Sequence, residues 1–406
     1  MCLQTVFLAM KIFNWENYFT LFKNSIFDCN NLNYFMSNQG KCMGVIIFTL
    51  FSQLCLAQED TRHIQFHHLL DSLHRSNAFN GNVLVAEKGK VIYQESFGLA
   101  NEKSKRKIDH DTAFELASVS KQFTAMAIIL LQKQGKLSYS DEVSRYVPEL
   151  AAYKGITLHH LLVHTSGLPD YMALAVKYWN KNDIATNANI LKLFEQVKPE
   201  REFQPNEKWE YSDTGYLVLA TVIERVSKSS FNDFLKQNIF MPLGMNRTFI
   251  YQRRYEPMQI ENYAEGYINS DSLKRKILPD ELGNENYEVF LDGVVGDGMV
   301  NSTTEDLLKW DRALYTDQLI DDNDKKLVFS SHETSTGQAT AYGYGWFIEN
   351  SEKYGKVVSH SGDWAGYITY IERHIDRDKT IIILQNNSLE STVIPVPDIC
   401  KIIYGE

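Results

Sequence analysis

Apolar and β-branched residues form short runs typical of strands near both ends of the main part of this chain, and a mostly helical pattern lies between them. From Gly81 to Gly98, β-branched residues flank a Glu-Lys-Gly-Lys turn, which predicts a β-hairpin because glycine tolerates positive φ. The segment from Ala117 to Gln134 is apolar on nearly all sides and stops at Gly135. It predicts a helix that is buried on most faces, closed by a C-terminal glycine and central to the molecule.

The rest of the chain divides into a helical region and a strand region. Residues 155 to 263 are mostly helical in pattern, with amphipathic segments at Leu217 to Val226 and Phe231 to Ile239, and we expect a helical lobe there. The C-terminal part predicts antiparallel strands at Tyr342 to Ile348, Lys356 to His360, Tyr367 to His374 and Thr380 to Gln385, then a helix within Val393 to Tyr404. The predicted fold class is α+β, an antiparallel sheet flanked by helices plus a helical lobe.

Composition narrows the class of protein. With 44% hydrophobic and 12% aromatic residues among 406, the chain can bury a large core as one large domain or two lobes. Its 41 Lys and Arg against 51 Asp and Glu give a net charge of -10, which repels polyphosphates. We therefore expect no nucleic-acid partner, while the oligomeric state is left open.

The N-terminal region has the layout of an export signal. Met43 to Ala57 is an apolar run that follows Lys41 and ends in a small residue, as secretory signal peptides do. The run is shorter than the roughly 20 apolar residues that cross a bilayer, and its alternative interpretation is a buried strand or core helix. We expect residues 1–57 to be an N-terminal extension and signal peptide, with Met36 as a candidate true start, and residues 58–406 to be the main folded domain. The mature protein is then exported, periplasmic or extracellular, with no stable membrane span.

Cysteine positions fit this interpretation. Of the five cysteines, only Cys400 follows the expected cleavage point, so we expect no internal disulfide although the compartment would permit one. Lipid attachment at Cys55 is the alternative to simple cleavage, but the bulky Leu54 before it argues against a lipoprotein signal.

A candidate nucleophile stands at the start of the buried helix. Serine is a weak nucleophile at neutral pH and needs a base within hydrogen-bond reach. Ser118 and Lys121 are three residues apart in Ser-Val-Ser-Lys and so share one helix face. Burial and the helix N-terminus both disfavour a charged lysine, so a neutral, basic Lys121 is expected. The same spacing recurs at Ser104 and Lys107, but in a polar run that predicts a solvated loop.

Tyr211-Ser212-Asp213 precedes the helix predicted at Leu217. A tyrosine beside a lysine can relay protons, and the alternative for Tyr211 is a structural role at a helix cap. Tyr139-Ser140-Asp141 has the same letters but follows the far end of the Ser118 helix, roughly 25 Å from the nucleophile at 1.5 Å per residue. We therefore expect Tyr211 to be the tyrosine that shares the site.

His360-Ser361-Gly362 ends a predicted strand, where small residues let a substrate backbone lie against the strand edge. A purely structural histidine is the alternative there, and His164-Thr165-Ser166-Gly167 predicts a structural turn. We expect no metal and no cofactor, because metal-ligand spacings such as His-Glu-x-x-His are absent.

Taken in this order, Ser-Val-Ser-Lys, Tyr-Ser-Asp and His-Ser-Gly resemble the three motifs of the class C β-lactamase and penicillin-binding serine hydrolase family. Surrounding phrases are also similar, and the resemblance covers nearly all of residues 77 to 388: LHHLLVHTSGLPDY at 158–171, FQPNEKWEYSDTGY at 203–216, PLGM at 242–245 and GDGMVNSTTEDLLKW at 296–310. The resemblance implies a β-lactamase/transpeptidase-like fold with its site in the cleft between sheet and helical lobe.

The resemblance also implies roles for individual residues. Ser118 would be acylated, with Lys121 and Tyr211 moving its proton. The backbone amides of Ser118 and Asp363 would form the oxyanion hole. Substrate binding would fall to four residues: Asp213, His360, Ser361 and Gly362. Members of this family cleave β-lactams, D-alanyl peptides, D-amino amides or short esters without a metal.

The sequence departs from the family pattern at positions that matter for substrate choice. Asp213 stands where asparagine is usual, and His360 stands where lysine is usual. A histidine of ordinary pKa is mostly neutral at pH 7 and cannot hold a substrate carboxylate as a permanent cation does. We therefore rank peptidase or esterase activity above efficient antibiotic hydrolysis. Asn206 replaces a usual glycine, a mild change because asparagine tolerates left-handed backbone.

Two hypotheses follow for the function. The leading one is an exported acyl-transfer enzyme acting through Ser118 on D-amino-acid peptides, amides, esters or β-lactams. The alternative is a catalytically weak relative that binds cell-wall peptides or acts as a scaffold, and Asp213 is the feature that favours it. Labelling by a fluorophosphonate separates the two, because it requires an activated serine.

Overall fold

The structure is a computed structural model, and it describes residues 61–270, 273–284, 286–364 and 366–406. The expected signal peptide from Met43 to Ala57 and the expected domain start at Gln58 lie outside these residues. Within the described ranges, every helix is too short or too polar to span a bilayer.

A six-stranded antiparallel sheet forms the centre of the fold, in the order β10-β11-β12-β13-β1-β2. Its strands are β1 Gly81–Glu87, β2 Lys90–Phe97, β10 Phe347–Ser351, β11 Gly355–Trp364, β12 Tyr367–His374 and β13 Lys379–Gln385. The β1–β2 hairpin turns through Gly89, which has a φ of 72°, as its turn sequence predicts. The sheet thus joins the first strands of the domain to the last.

Three smaller sheets surround the central one, with strand orders β14-β7-β8, β3-β4 and β5-β9-β6. Their strands are β3 Leu99–Asn101, β4 Arg106–Lys107, β5 Phe114–Glu115, β6 Phe249–Ile250, β7 Tyr267–Ser270, β8 Arg275–Ile277, β9 Val300–Ser302 and β14 Asn387–Ser388. The pairing of β5 with β9 carries the chain directly into the segment that holds Ser118.

Helices cover the central sheet and fill the middle of the chain. The α-helices are α1 at residues 61–75, α2 Lys121–Lys133, α3 Leu158–Leu162, α4 Tyr171–Tyr178, α5 Asn187–Val197, α6 Asp213–Ser227, α7 Phe231–Leu235, α8 Tyr287–Phe290, α9 Thr304–Ala313, α10 Asp322–Val328 and α11 Val396–Tyr404. Shorter helical turns lie at Ala117–Ser120, Val143–Arg145, Pro148–Leu150, Pro279–Leu282 and Ile375–Arg377, and a π-helical turn lies at Lys236–Phe240.

The predicted central helix is present as a 3-10 turn followed by α2, and it ends at Gly135, whose φ is 68°. Ten of the thirteen residues of α2 are buried. This helix belongs to the larger hydrophobic cluster, on the sheet face that carries Ile382 and Leu384, whereas α1 and α11 cover the face that carries Ile381 and Ile383. Alternating residues of β13 therefore supply two separate cores.

One predicted strand is wrong over most of its length. The pattern from Tyr342 to Ile348 predicts a strand, but regular pairing begins only at Phe347. The glycines of this segment pack against other backbone: a Cβ on Gly345 would lie 2.8 Å from Gln122 Cα, and one on Gly343 would lie 2.0 Å from Val328 O. The segment is buried without being a strand, because it packs against α2 instead of against a neighbouring strand.

Candidate active site

The serine predicted as nucleophile lies in the 3-10 turn Ala117–Ser120, immediately before α2. Ala117 has a φ of 48°, a left-handed conformation that costs a non-glycine residue about 1 kcal/mol or more. Contacts on both sides of Leu116 hold this backbone: its N–H donates to Val300 O at 2.8 Å, and its carbonyl accepts from Thr369 Oγ1 at 2.7 Å. The surrounding sheets thus stabilise a strained turn that presents Ser118.

Lys121 opens α2 and reaches back to the serine, as the three-residue spacing predicts. Its Nζ lies 2.9 Å from Ser118 Oγ, 3.0 Å from the backbone oxygen of Asp297 and 2.6 Å from Asp213 Oδ1. The lysine side chain is fully buried. These three acceptors match the three protons of an ammonium group.

The charge of Lys121 follows from these contacts. Burial lowers the pKa of Lys121, but the Asp213 carboxylate outweighs it with help from Tyr211 and Asp297, and the pKa is raised overall. Burial and helix position alone favour a neutral Lys121, but the raised pKa makes Lys121 an ammonium at neutral pH, which is the effect expected of an ionised Asp213 close to it. Its neighbour Asp213 supplies the reason that helix position and burial could not.

Tyr211 lies in the loop that leads into α6, beside Lys121. Lys121 Nζ is 5.0 Å from the centroid of the Tyr211 ring, and the ring stacks on Phe347 at 6.2 Å. The hydroxyl of Tyr211 is buried and is not in hydrogen-bond geometry with any described residue. Burial raises the pKa of Tyr211 although Lys121 opposes it, so Tyr211 is a neutral phenol at pH 7.

His164, which the sequence assigns to a structural turn, positions the Tyr211 loop. Its Nδ1 accepts a hydrogen bond from the Ser212 N–H at 3.0 Å, and its ring centroid lies 4.4 Å from that of Tyr211. Burial and the nearby Lys121 hold the pKa of His164 well below its usual value. His164 is therefore a neutral positioning residue behind the tyrosine.

The third motif lies on β11, but its histidine does not meet the cleft as expected. The His360 side chain is only 1% exposed; its Nε2 lies 3.0 Å from Tyr342 Oη, and its Nδ1 donates to the Ser361 carbonyl at 2.6 Å. Burial, and next Lys121, lower the pKa of His360 to about 3. The His360 imidazole is therefore buried and neutral, and it is absent from the described residues that line either cleft.

Gly362 and the residues beside it bring β11 against the nucleophile turn. A Cβ on Gly362 would lie 2.2 Å from Leu116 O and 2.4 Å from Thr369 Oγ1, so the position requires glycine for close packing. Ser361 is exposed. Asp363 is exposed and lines the cleft, and desolvation there raises its pKa.

A cleft of about 330 Å³ opens at Ser118. Its lining combines carboxylates with aromatic and apolar side chains: Glu115, Ala117, Ser118, Tyr171, Met172, Asp213, Ile268, Tyr287, Glu288, Leu291, Val294, Asp297, Gly298, Met299, Asp363, Trp364, Gly366 and Ser388. A smaller cleft of about 170 Å³ adjoins it, and Asp213 lines both. The structure thus brings Ser118, Asp213 and Asp363 to one cavity, places Tyr211 in the lining of the smaller cleft, and buries Lys121 next to Ser118.

Tyr171 and Asp297 both line the cleft, and neither belongs to the three motifs. Asp297 lies within the phrase GDGMVNSTTEDLLKW, and its carboxylate accepts a hydrogen bond from Tyr171 Oη at 2.8 Å. Burial, and next Asp213, raise the pKa of Asp297 to about 6. The resemblance of that phrase to the family was the only signal available for Asp297.

The two decoy motifs lie elsewhere. Ser104 is in an exposed turn, where its hydroxyl donates to Asn101 Oδ1 at 2.9 Å, and Lys107 is on β4. Tyr139 packs on Tyr344 with ring centroids 5.4 Å apart and is absent from the residues lining either cleft. The structure does not bring either decoy to Ser118.

Among the described residues, Glu372, His374 and Cys400 form a buried group whose donor atoms all lie within 4.8 Å of one another. His374 Nε2 lies 2.7 Å from Glu372 Oε1, and His374 Nδ1 lies 2.7 Å from Tyr404 Oη, so the polar atoms are already paired. Glu372 and His374 alternate with Ile371, which faces the α2 core, so the group lies on the opposite face of the sheet from Ser118.

Comparison with known proteins covers nearly the same part of the chain as the family resemblance does. The family model described as Beta-lactamase matches residues 67–392. Penicillin-binding protein 4* of Bacillus subtilis (strain 168) is 45% identical over 331 residues, which cover 82% of this chain and 73% of that protein.

Solved structures show the same fold. A penicillin-binding protein from Bacillus halodurans has a TM-score of 0.69 at 24% identity, covering 83% of this chain and 98% of that one. The D-amino acid amidase of Ochrobactrum anthropi SV3 has a TM-score of 0.68 at 22% identity, covering 85% and 99%. The β-lactamase/transpeptidase-like fold predicted from the motifs is confirmed.

Proposed function

This chain belongs to the β-lactamase family, and we propose that it is an exported serine hydrolase that forms an acyl-enzyme on Ser118. The proposed substrates are D-amino-acid peptides, amides, esters or β-lactams. The observation that carries the proposal is the 2.9 Å contact between Lys121 Nζ and Ser118 Oγ at the opening of a cleft.

In the proposed reaction, Ser118 Oγ attacks the substrate carbonyl carbon, a C–O bond forms and the carbonyl electron pair moves to oxygen. The serine proton passes to Lys121 Nζ in the fraction of molecules in which that amine is neutral. When the intermediate collapses, the bond to the leaving group breaks, and the leaving group takes a proton relayed through Tyr211. Water then attacks the acyl-enzyme, releasing the acid and restoring the Ser118 hydroxyl.

The proposed oxyanion hole consists of the backbone amides of Ser118 and Asp363. Close packing of Gly362 on the Leu116 carbonyl supports it, because this contact brings β11 alongside the nucleophile turn. Each such donor is worth roughly 3 kcal/mol in other acyl-transfer enzymes.

Substrate choice within the family is also a proposal. The buried, neutral His360 cannot supply the cation that holds a substrate carboxylate, so peptidase, amidase or esterase activity ranks above efficient antibiotic hydrolysis. The fold shared with an enzyme named as a D-amino acid amidase, and the similarity to a protein named as penicillin-binding, support this range of substrates.

A fluorophosphonate probe tests the central assignment. Wild-type protein and the Ser104→Ala variant should be labelled equally, whereas Ser118→Ala should not be labelled at all and should keep its thermal stability. Ser104 is the matched control because it carries the same Ser-x-x-Lys spacing on an exposed turn. Peptide mapping that places the adduct on any serine other than Ser118 would overturn the proposal. Absence of labelling in folded wild-type protein would favour the catalytically weak, peptide-binding alternative.

A further inference from the structure

Among the residues that the structure describes, the cleft at Ser118 is lined by carboxyl groups and by no basic side chain. Five acidic residues contribute to its described lining, and none of the described lining residues is lysine, arginine or histidine: the acids are Glu115, Asp213, Glu288, Asp297 and Asp363. Lys121 lies behind the wall and is already paired with Asp213 at 2.6 Å. A substrate that enters this cleft therefore meets carboxyl groups and no unpaired cation among the described lining residues.

Glu115 is the acid in this lining that lacks a partner. It lies on β5 opposite Asn301, and its side chain is 93% buried, since 7% of it is exposed. Its Oε1 is fully buried, and no described residue donates a hydrogen bond to it. A buried carboxyl oxygen without a donor is costly, so this atom indicates a group that arrives with the substrate.

The charges around Glu115 do not supply that group. Burial, and next Asp292, raise the pKa of Glu115 to about 8, while Arg254 and Arg253 oppose this effect from a distance. Arg254 is occupied, with Nε 2.9 Å from Asp280 Oδ1 and Nη1 2.8 Å from Asp292 Oδ1. Arg253 is likewise paired with Asp280. The empty cleft thus holds a protonated Glu115, and an arriving cation would favour its ionised form.

Aromatic rings also line the cleft. Tyr287 and Trp364 both line it, and their ring centroids lie 5.7 Å apart. Aromatic faces attract ammonium groups, and carboxylates beside such faces strengthen the preference. Glu288 follows Tyr287 directly on α8 and adds a second carboxyl to the same wall.

We propose that this cleft selects acyl groups that carry a protonated amine, with Glu115 and Glu288 as its recognition residues, and that it disfavours acyl groups that carry a carboxylate. The inference rests on the proposed acyl-enzyme function of Ser118. Glu115 precedes Ser118 by three residues, so their Cα atoms are at most about 11 Å apart. An amine on the residue that provides the scissile carbonyl, or on its side chain, lies within that range.

The test uses p-nitroanilides that differ in charge but share one leaving group. D-alanine is compared with N-acetyl-D-alanine, Nα-acetyl-D-lysine with N-acetyl-D-norleucine, and N-succinyl-D-alanine represents a carboxylate. In the wild type we expect kcat/KM for at least one amine to exceed that of its neutral partner about tenfold, and the succinyl compound to be the poorest substrate.

Glu115→Gln and Glu288→Gln should each reduce the amine-to-neutral ratio several-fold, mainly through KM. Glu195→Gln is the matched control, because Glu195 is an exposed glutamate on α5 away from the cleft, and it should leave the ratio unchanged. The ratio should also fall as ionic strength rises.

Equal kcat/KM for amine and neutral compounds in an enzyme that labels on Ser118 would overturn the inference and leave the proposed function standing. Retention of the amine preference in the Glu115→Gln and Glu288→Gln variants would overturn the assignment of these residues. Failure of wild-type protein to label would instead overturn the proposed function on which the inference rests.

Discussion

Replacing Asp213 by asparagine removes the carboxylate that keeps Lys121 charged. Asp213 Oδ1 lies 2.6 Å from Lys121 Nζ, and the lysine is fully buried while the aspartate side chain is 28% exposed. In Asp213→Asn the pKa of Lys121 should fall, because burial still disfavours the ammonium and the largest opposing charge is gone. More free amine is then present at neutral pH to accept the Ser118 proton.

The size of this effect can be bounded from the geometry. Two unit charges at that separation interact by about 6 kcal/mol at an effective dielectric constant of 20 and by about 1.6 kcal/mol in water. Because 1.36 kcal/mol corresponds to one pKa unit, the lower bound is about one unit. Asp297 offsets part of the change: burial, and next Asp213, raise the pKa of Asp297 to about 6, so removal of the Asp213 charge lets Asp297 ionise more readily. We therefore expect the rising limb of the kcat/KM profile to move to lower pH by a shift on the order of one pH unit.

The assay measures kcat/KM against pH for one ester and one β-lactam, in wild type and Asp213→Asn. Asparagine can also donate a hydrogen bond to a substrate carbonyl, which a carboxylate cannot, so turnover of the β-lactam should rise relative to the ester. Asp170→Asn is the matched control: Asp170 caps α4 by accepting from Met172 N–H at 2.8 Å, and asparagine caps a helix equally well.

Coincident rising limbs in wild type and Asp213→Asn, with an unchanged ratio of β-lactam to ester turnover, would refute this reasoning. The ion pair between Asp213 and Lys121 would then have no effect on the pKa of Lys121, the proposed base. A similar shift in Asp170→Asn would equally refute it, because the effect would come from the general negative charge near the cleft instead of from the pair with Lys121.

Two further predictions concern the packing of the site and the start of the mature chain. Gly362→Ala should reduce both kcat/KM and the melting temperature, because its Cβ would lie 2.2 Å from Leu116 O, whereas Gly298→Ala, with no heavy atom within 4 Å of its Cβ, should leave the melting temperature unchanged. Equal stability of the two variants would contradict the close packing of β11 on the nucleophile turn. N-terminal sequencing of exported protein should begin near Gln58, and a sequence that includes residues before Met43 would remove the export proposal.

Features set by local sequence were predictable. The three-residue spacing of Ser118 and Lys121 places both side chains on one helix face whatever the rest of the chain does, and their 2.9 Å contact follows. The hairpin glycine and the helix-ending glycine were predictable for the same reason, since φ preference is a property of the residue itself. Asn206 is similar: it has the left-handed φ of 64° that asparagine tolerates.

Features set by distant chain segments were not predictable. The charge of Lys121 depends on Asp213, which is far away in sequence: only the resemblance to the family suggested that the two residues are close, and their 2.6 Å contact forms when α6 packs against α2. Glu115 was not identified because its significance lies in the hydrogen bond it lacks, and a missing donor leaves no trace in the sequence. The Tyr342 segment was assigned to a strand because burial of an apolar run looks the same whether it packs on a strand or a helix.

The two departures from the family pattern are linked through the charge of Lys121. Asp213 keeps Lys121 an ammonium, and that ammonium in turn lowers the pKa of the buried His360. His360→Lys alone would bring a second cation toward the first in a site that is 1% exposed, so we expect a loss of a few kcal/mol in the free energy of unfolding.

Combining His360→Lys with Asp213→Asn should recover part of that loss, because Lys121 can then become neutral beside the new ammonium. Unfolding free energies of the wild type, the two single variants and the double variant form a cycle. The double variant should be more stable, by about 1 kcal/mol or more, than the sum of the two single changes predicts. Tyr342→Phe combined with Asp213→Asn is the comparison cycle: it removes the hydroxyl that lies 3.0 Å from His360 Nε2 without adding charge, so it should show little coupling. Additive single changes in the first cycle would mean that the residues at 213 and 360 vary independently. Favourable coupling would mean instead that this site holds one positive charge at a time. In this chain that charge is on Lys121 beside the nucleophile, and in the family pattern it is on the lysine at position 360.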